Sequence, residues 1–266
     1  MTIVGVGNLL WVLAFIAVMV LPANRGVAED TQKESGKTGP TVSQVVDRLV
    51  GKNAQRAIAL KRYRSRRSYR LDYKGFPSDL HAEMIVDMNY KAPATKEFTV
   101  VSEGGSKWII HHIFKRLLES ELEALHGENL EHTALNSRNY NFTMLGDDGE
   151  TQGCPYVLGV QPKAPDKFLY RGRIWVNAKD YAVCRVEAEP AKNPSFWITK
   201  TEIDHTYSKI GAFWLPASNQ SVSALRWGGR ATLTIQYGDY KILEADAPNQ
   251  TDEKVSPASS TRSTTN

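Results

Sequence analysis

The chain has 266 residues, of which 41% are hydrophobic and 23% charged, and its formal net charge is +4. That is the balance of an ordinary globular protein, with room for one large β domain or two small ones, and it excludes a chain disordered throughout.

Leu9 to Leu21 is an apolar run followed by Pro22-Ala-Asn-Arg-Gly-Val-Ala28, with Gly26 and Ala28 at the small-residue positions of a cleavage site. The pattern predicts a signal peptide over residues 1–28. No Lys or Arg precedes the apolar run, so an uncleaved anchor is the alternative, with Val4 to Leu21 barely reaching the ~20 residues a span needs. No cysteine follows the run closely, which argues against a lipid-modified N-terminus. Export removes nucleic acid as a partner and leaves membrane headgroups, anionic lipids or a charged protein partner to answer the basic balance.

Residues 29–40 are polar and read as a linker. A helix begins at Thr41, where Thr41-Val-Ser-Gln44 has the spacing of a capping box, and Val45, Val46, Leu49 and Val50 give it an apolar stripe. Lys61-Arg-Tyr-Arg-Ser-Arg-Arg-Ser-Tyr-Arg70 is the densest charge run. It reads as a helix end merging into a solvated strand from about Ser68, or as a patch that docks a headgroup or a partner. Strands follow at Leu80 to Tyr90 and Glu97 to Glu103, the first with Ala82, Met84, Val86, Met88 and Tyr90 on one side. A helix then interrupts the strands near Ser106, with Ile110, Ile113, Phe114, Leu117, Leu118, Leu122 and Leu125 on one face. It is either a lid over a curved sheet or permanent core.

Strands resume at Asn139 to Leu145 and Cys154 to Gln161 and lead into a meander with strict alternation. Phe168, Tyr170, Gly172, Ile174 and Val176 form one apolar row; Ala182, Cys184, Val186 and Ala188 a second; Trp197, Thr199, Thr201, Ile203, His205 and Tyr207 a third. Gly172, Ala182, Cys184 and Ala188 are small, which suggests a face with room for a guest. Phe213 to Leu225 and Ala231 to Leu243 complete the sheet, the last with Ala231, Leu233, Ile235 and Tyr237 facing in. Residues 244–266 are rich in Ser, Thr, Pro and Asn and read as a disordered tail. The folded unit is thus 41–243, mainly β with helices (α+β).

Cys154 and Cys184 read as free buried thiols, because the Phe168 strand lies between them and two strand spacings, ~9.5 Å, exceed the ~7 Å limit for a disulfide. Catalytic constellations are weak: Glu123-Ala-Leu-His126 occurs once where a dimetal bundle needs it twice, and His111-His112 are adjacent, pointing to different sides of a helix. There is no Gly-x-Ser-x-Gly elbow and no phosphate-cradling glycine loop. An enzyme, a metal site and a cofactor are accordingly not expected.

The order of these elements resembles the LolA-like group of periplasmic lipoprotein carriers. Asn139-Tyr-Asn-Phe-Thr-Met-Leu-Gly146, Phe168-Leu-Tyr-Arg-Gly-Arg-Ile-Trp-Val176, Pro190-Ala-Lys-Asn-Pro-Ser-Phe-Trp-Ile198 and Phe213-Trp-Leu-Pro216 are similar to segments of outer-membrane lipoprotein-sorting proteins. The resemblance implies an incomplete antiparallel β-barrel with an N-terminal helix and a helical lid, in the periplasm, holding acyl chains of lipids or lipoproteins. The inward apolar residues that would line the cavity are Met84, Val86, Met88, Ile110, Phe114, Leu117, Leu118, Tyr170, Ile174, Val186, Trp197, Ile203, Leu233 and Ile235. The carriers' lid-holding arginine falls to one of Arg66, Arg67 and Arg70. Partners implied are an inner-membrane export complex or an outer-membrane acceptor. The alternative is an envelope sensor like RseB or MucB, which binds lipid and a membrane regulatory partner but carries a second domain that this chain is too short to hold.

Overall fold

The computed structural model describes residues 39–247 apart from 126–130, 147–152, 167, 193–194 and 227. The expected signal peptide, most of the linker and most of the tail lie outside the described residues. Ten strands form one antiparallel sheet in the order β3-β2-β1-β10-β9-β8-β7-β6-β5-β4. In chain order they are β1 (Leu60–Lys74), β2 (Leu80–Lys91), β3 (Thr95–Gly105), β4 (Tyr140–Gly146), β5 (Tyr156–Pro162), β6 (Tyr170–Val176), β7 (Val183–Pro190), β8 (Ile198–Ile210), β9 (Phe213–Leu225) and β10 (Arg230–Ala245). The sheet does not close: β3 and β4 are its two edges, which makes it the incomplete barrel expected from the sequence. Only the β1–β10 pairing departs from a plain meander, and it joins the two halves of the chain.

Register shows which residues share a face. Met84, Tyr69, Ile235, Asn219, His205, Val186, Ile174 and Leu158 are successive cross-strand neighbours from β2 to β5. Ala82, Leu71, Leu233, Ser221, Ile203, Ala188, Gly172 and Val160 make the next row. Both helices lie on this face. Helix α1 (Val42–Ala59) starts at the expected capping box, with the Gln44 amide donating to Thr41 Oγ1 and the Thr41 amide to Gln44 Oε1, worth about 1 kcal/mol. Its Val45, Val46 and Leu49 pack with Leu158, Ile174 and Val186 over the β4–β7 half. Helix α2 (Lys107–Ile109), a π-helical turn (Ile110–Phe114) and α3 (Lys115–Ala124) run on as one inserted helix. It packs on the β10-β1-β2 half, with Phe114 against Tyr69 at 5.9 Å between ring centroids.

Several expectations are corrected. The charge run is not a helix end, because α1 stops at Ala59 and the run is the body of β1. Alternation sends Arg66 and Arg70 outward to Asp87, Asp72 and Glu83, and turns Ser65, Arg67, Tyr69 and Leu71 inward. A register irregularity between Ile198 and Lys200 breaks the alternation of β8, so Ile198, Thr201 and Ile203 are buried and Thr199 is exposed.

The cysteines are also corrected: Cys154 and Cys184 form a disulfide, with Cα atoms 6.6 Å apart. The strand-spacing estimate assumed both residues in the ladder. Cys154 instead precedes β5, and Cys184 is the extra residue of an irregularity in β7, where Trp175 pairs with Arg185 and Val176 with Val183. The irregularity seats Cys184 against Trp175, whereas Val186 packs with Ile174 in a different cluster. The bridge therefore passes over the end of β6. Gly172 is small for a reason other than a guest: its φ is +153° and a Cβ there would collide with the Glu187 carbonyl oxygen and crowd Ala188 Cα.

Candidate functional site

The face beneath the helices divides into apolar floors with a polar seam. Of the residues expected to line a cavity, Met84, Val86, Ile110, Phe114, Leu117, Leu118, Leu233 and Ile235 come together beneath and within the inserted helix. Tyr170, Ile174 and Val186 lie under α1 instead. Met88 belongs to a third cluster with Tyr63, Phe213 and Leu215. Ile203 lies between the helices on β8, and Trp197 stands ahead of β8, its ring 5.3 Å from that of Phe196 and outside these clusters.

The π-helical turn spans Ile110 to Phe114, and Ile109, Ile110, Ile113, Phe114, Leu117 and Leu118 all meet the sheet. Leu122, expected on that face, is 37% exposed; Glu121, three residues from Leu118 and four from Leu117, takes the buried place. Two cations meet it there. Arg67 Nη1 and Nη2 donate to its two carboxylate oxygens at 2.7 and 3.2 Å, and Lys96 Nζ donates to Oε1 at 2.6 Å. Arg67 also lies between the Phe98 and Tyr237 rings, 5.4 and 5.0 Å from their centroids. Of the three arginines open as lid-holding candidates, Arg67 is the one that reaches the helix.

Burial alone would raise the Glu121 carboxyl, but Arg67 and Lys96 outweigh it and hold it at about 2. Lys96 stays below its ordinary value, because burial and the nearby Arg67 charge together lower it by more than Glu121 restores. The helix is thus fastened at its C-terminal half by three charges taken out of water. Around them, Arg67 Nε, Ser65 Oγ and Ser120 Oγ are buried without a hydrogen-bond partner, which marks the contact as imperfectly satisfied.

The seam lies between the helices on β8 and β9. Asn219 Nδ2 donates to His205 Nδ1 at 2.8 Å, Ser221 Oγ donates to Asn219 Oδ1 at 3.1 Å, and His205 Nε2 has no partner. Burial lowers the imidazole to about 4, so it is neutral at pH 7. Among the described residues, neither the triad nor the seam pairs a nucleophile with a base. A groove of about 710 Å³ opens on the opposite face of the sheet. Arg171, Arg173, Glu187, Glu189 and Glu202 line it, which unfits it for an acyl chain.

Sequence reasoning missed Glu121 and Lys96. The signal for Arg67 was present, since Tyr63, Ser65, Arg67, Tyr69 and Leu71 alternate with exposed or half-exposed residues once the run is read as a strand.

No family model matches the chain, and no curated protein matches it. Among solved structures, a DUF1329 family protein from Desulfovibrio piger is 14% identical, covering 76% of this chain and 92% of its own, with a TM-score of 0.39. A LolA superfamily protein from Nitrosomonas europaea is 11% identical, covering 77% and 94%, with a TM-score of 0.35. The MucA/MucB complex of Pseudomonas aeruginosa matches at 10% identity over 77% and 99%, with a TM-score of 0.25.

Proposed function

We propose that the protein is a periplasmic carrier that shields the acyl chains of lipids or lipoproteins beneath the inserted helix during outer-membrane lipoprotein sorting. The observation that carries this reading is how the helix is attached. It covers an apolar floor of Met84, Leu233 and Ile235, yet its C-terminal half is fastened by the Arg67–Glu121–Lys96 triad rather than by apolar packing alone. Buried ion pairs are often no more stabilising than apolar residues of the same volume, so a permanent core gains little from one. A cover that must separate from its floor gains a latch that exchanges protein partners for water when it opens.

The floor supplies the affinity. Each methylene removed from water contributes about 0.8 kcal/mol, so a long acyl chain needs no specific polar contact. Met84 adapts its shape to variable guests. Handover then goes to a membrane-bound partner, an inner-membrane export complex on loading and an outer-membrane acceptor on release.

The test is Phe114→Glu, at a fully buried position. A charge there stands in the apolar surface that Met84, Leu233 and Ile235 form with the helix, where an acyl chain would lie, and makes that surface unfit for the chain. The expected result is loss of fluorescent fatty acid binding with the sheet's thermal midpoint largely kept. A collapse of the midpoint, with binding lost only in proportion to folded protein, would show the helix to be fixed core and overturn the reading.

A further inference from the structure

Large apolar side chains reach solvent at one end of the sheet. Phe76, in the β1–β2 connection, is 84% exposed; Phe196, between β7 and β8, is 68% exposed; Trp108, in the first turn of the inserted helix, is 43% exposed. These connections are neighbours in space. A Cβ on Gly75 would lie 2.8 Å from Gly229 Cα, so the β1–β2 connection abuts the β9–β10 turn. From that turn, the Arg226 amide donates to the Trp197 carbonyl at 2.9 Å, and Arg226 Nε donates to the Phe196 carbonyl at 2.6 Å. The helix start is tied to the same end by the Ser106 amide, which donates to the His81 carbonyl at 2.8 Å.

Cations accompany the rings. Arg226 lies 4.2 Å from the Phe196 ring centroid, and Lys192 and Lys107 occupy the same connections. Lys107 has a distant carboxylate, Glu103 at 4.0 Å. The only carboxylate within the four connections is Asp79, and Lys74 holds it at 2.7 Å. Aromatic rings on separate tips, one of them under the Arg226 guanidinium and the others close to lysines in sequence, do not form a flat surface that a folded protein would cover. They suit a deformable layer with an apolar interior and an anionic skin, where Trp and Phe settle at headgroup depth and each cation gains from the surface potential.

We propose that this rim docks the protein on an anionic phospholipid bilayer through Phe76, Phe196 and Trp108, with Arg226 reading the surface charge. The proposal goes beyond the carrier reading and does not depend on what the interior holds. The test is flotation of the full chain, recovered from the envelope of expressing cells, with vesicles of phosphatidylcholine alone or with phosphatidylglycerol. Wild type should float with the anionic vesicles, and Phe76→Ser/Phe196→Ser should lose binding by tenfold or more. Arg226→Gln should lose the preference for anionic over neutral vesicles, and its single change on an exposed side chain keeps the test open if the double variant fails to fold. Fatty acid binding should be unchanged in all variants, which separates failure of the rim from failure of the carrier. Wild type that does not float, or variants that float as wild type does because the N-terminal apolar run or a protein partner is the anchor, would overturn the proposal.

Discussion

Replacing Glu121 by Gln removes one negative charge from a site where two cations approach it at 2.6 and 2.7 Å. The amide keeps the volume and part of the hydrogen bonding, but Arg67 and Lys96 are left facing each other with side chains only 4% and 7% exposed. Removing one partner of a buried ion pair costs about 3–5 kcal/mol. If the triad is a latch, that cost falls on closure of the inserted helix and not on the sheet. A loss of about 3 kcal/mol raises the open population by roughly two orders of magnitude, and the apparent affinity for an acyl chain rises by the same factor until the open form dominates. Hydrogen exchange reads the first effect: amides of Lys115–Ala124 should lose protection while those of Tyr170–Val176 keep theirs. Titration with a fluorescent fatty acid reads the second. Equal loss of protection in both segments, with affinity unchanged or lower, would refute the latch and return the helix to the core.

The remaining predictions concern the rest of the scaffold. His205 is lowered to about 4 in the folded chain against an ordinary 6.5, so its contribution is full above pH 6.5 and is lost as pH falls toward 4. The loss is about 3 kcal/mol by 1.36 kcal/mol per unit, and urea unfolding at pH 7.5 and 4 should show it in wild type and not in His205→Asn. Glu121, held at about 2, adds a second loss that begins only below its ordinary 4.5, so an unfolding titration should show a further decline below that pH. Intact-mass measurement after alkylation under denaturing, non-reducing conditions should add no label, and Cys154→Ala/Cys184→Ala should cost about 3–4 kcal/mol for a bridge that closes a 30-residue separation. Gly172→Ala should destabilise by at least ~1–3 kcal/mol in chemical denaturation, because the added Cβ meets the β7 backbone at a positive φ.

Strand positions and inward faces were legible because period-2 alternation survives wherever the ladder is regular, whereas the β1–β10 pairing leaves no trace in that pattern. Ile174, Val186, Ile203, Leu233 and Ile235 stand on the helix-covered face as the pattern required. The pattern failed where one residue is added. At Thr199 and at Cys184 a local irregularity reverses or re-aims the side chains, and nothing in the composition of those stretches announces it. The charged triad was hidden for another reason: hydrophobic periodicity treats Arg67, Lys96 and Glu121 as solvent-facing, and only the packing of three distant segments makes their burial affordable. Small size was ambiguous in the same way, since Gly172 reads equally as space for a guest or as backbone crowding until its neighbour on β7 is known.

Native mass spectrometry of the protein, isolated from the cell envelope without detergent, tests the central claim most directly. The account predicts a folded species carrying the mass of one or more acyl-chain lipids, released on denaturation and absent from Phe114→Glu. A folded wild-type protein that stays at its bare polypeptide mass, even after incubation with excess fatty acid or diacylated lipopeptide, would contradict it.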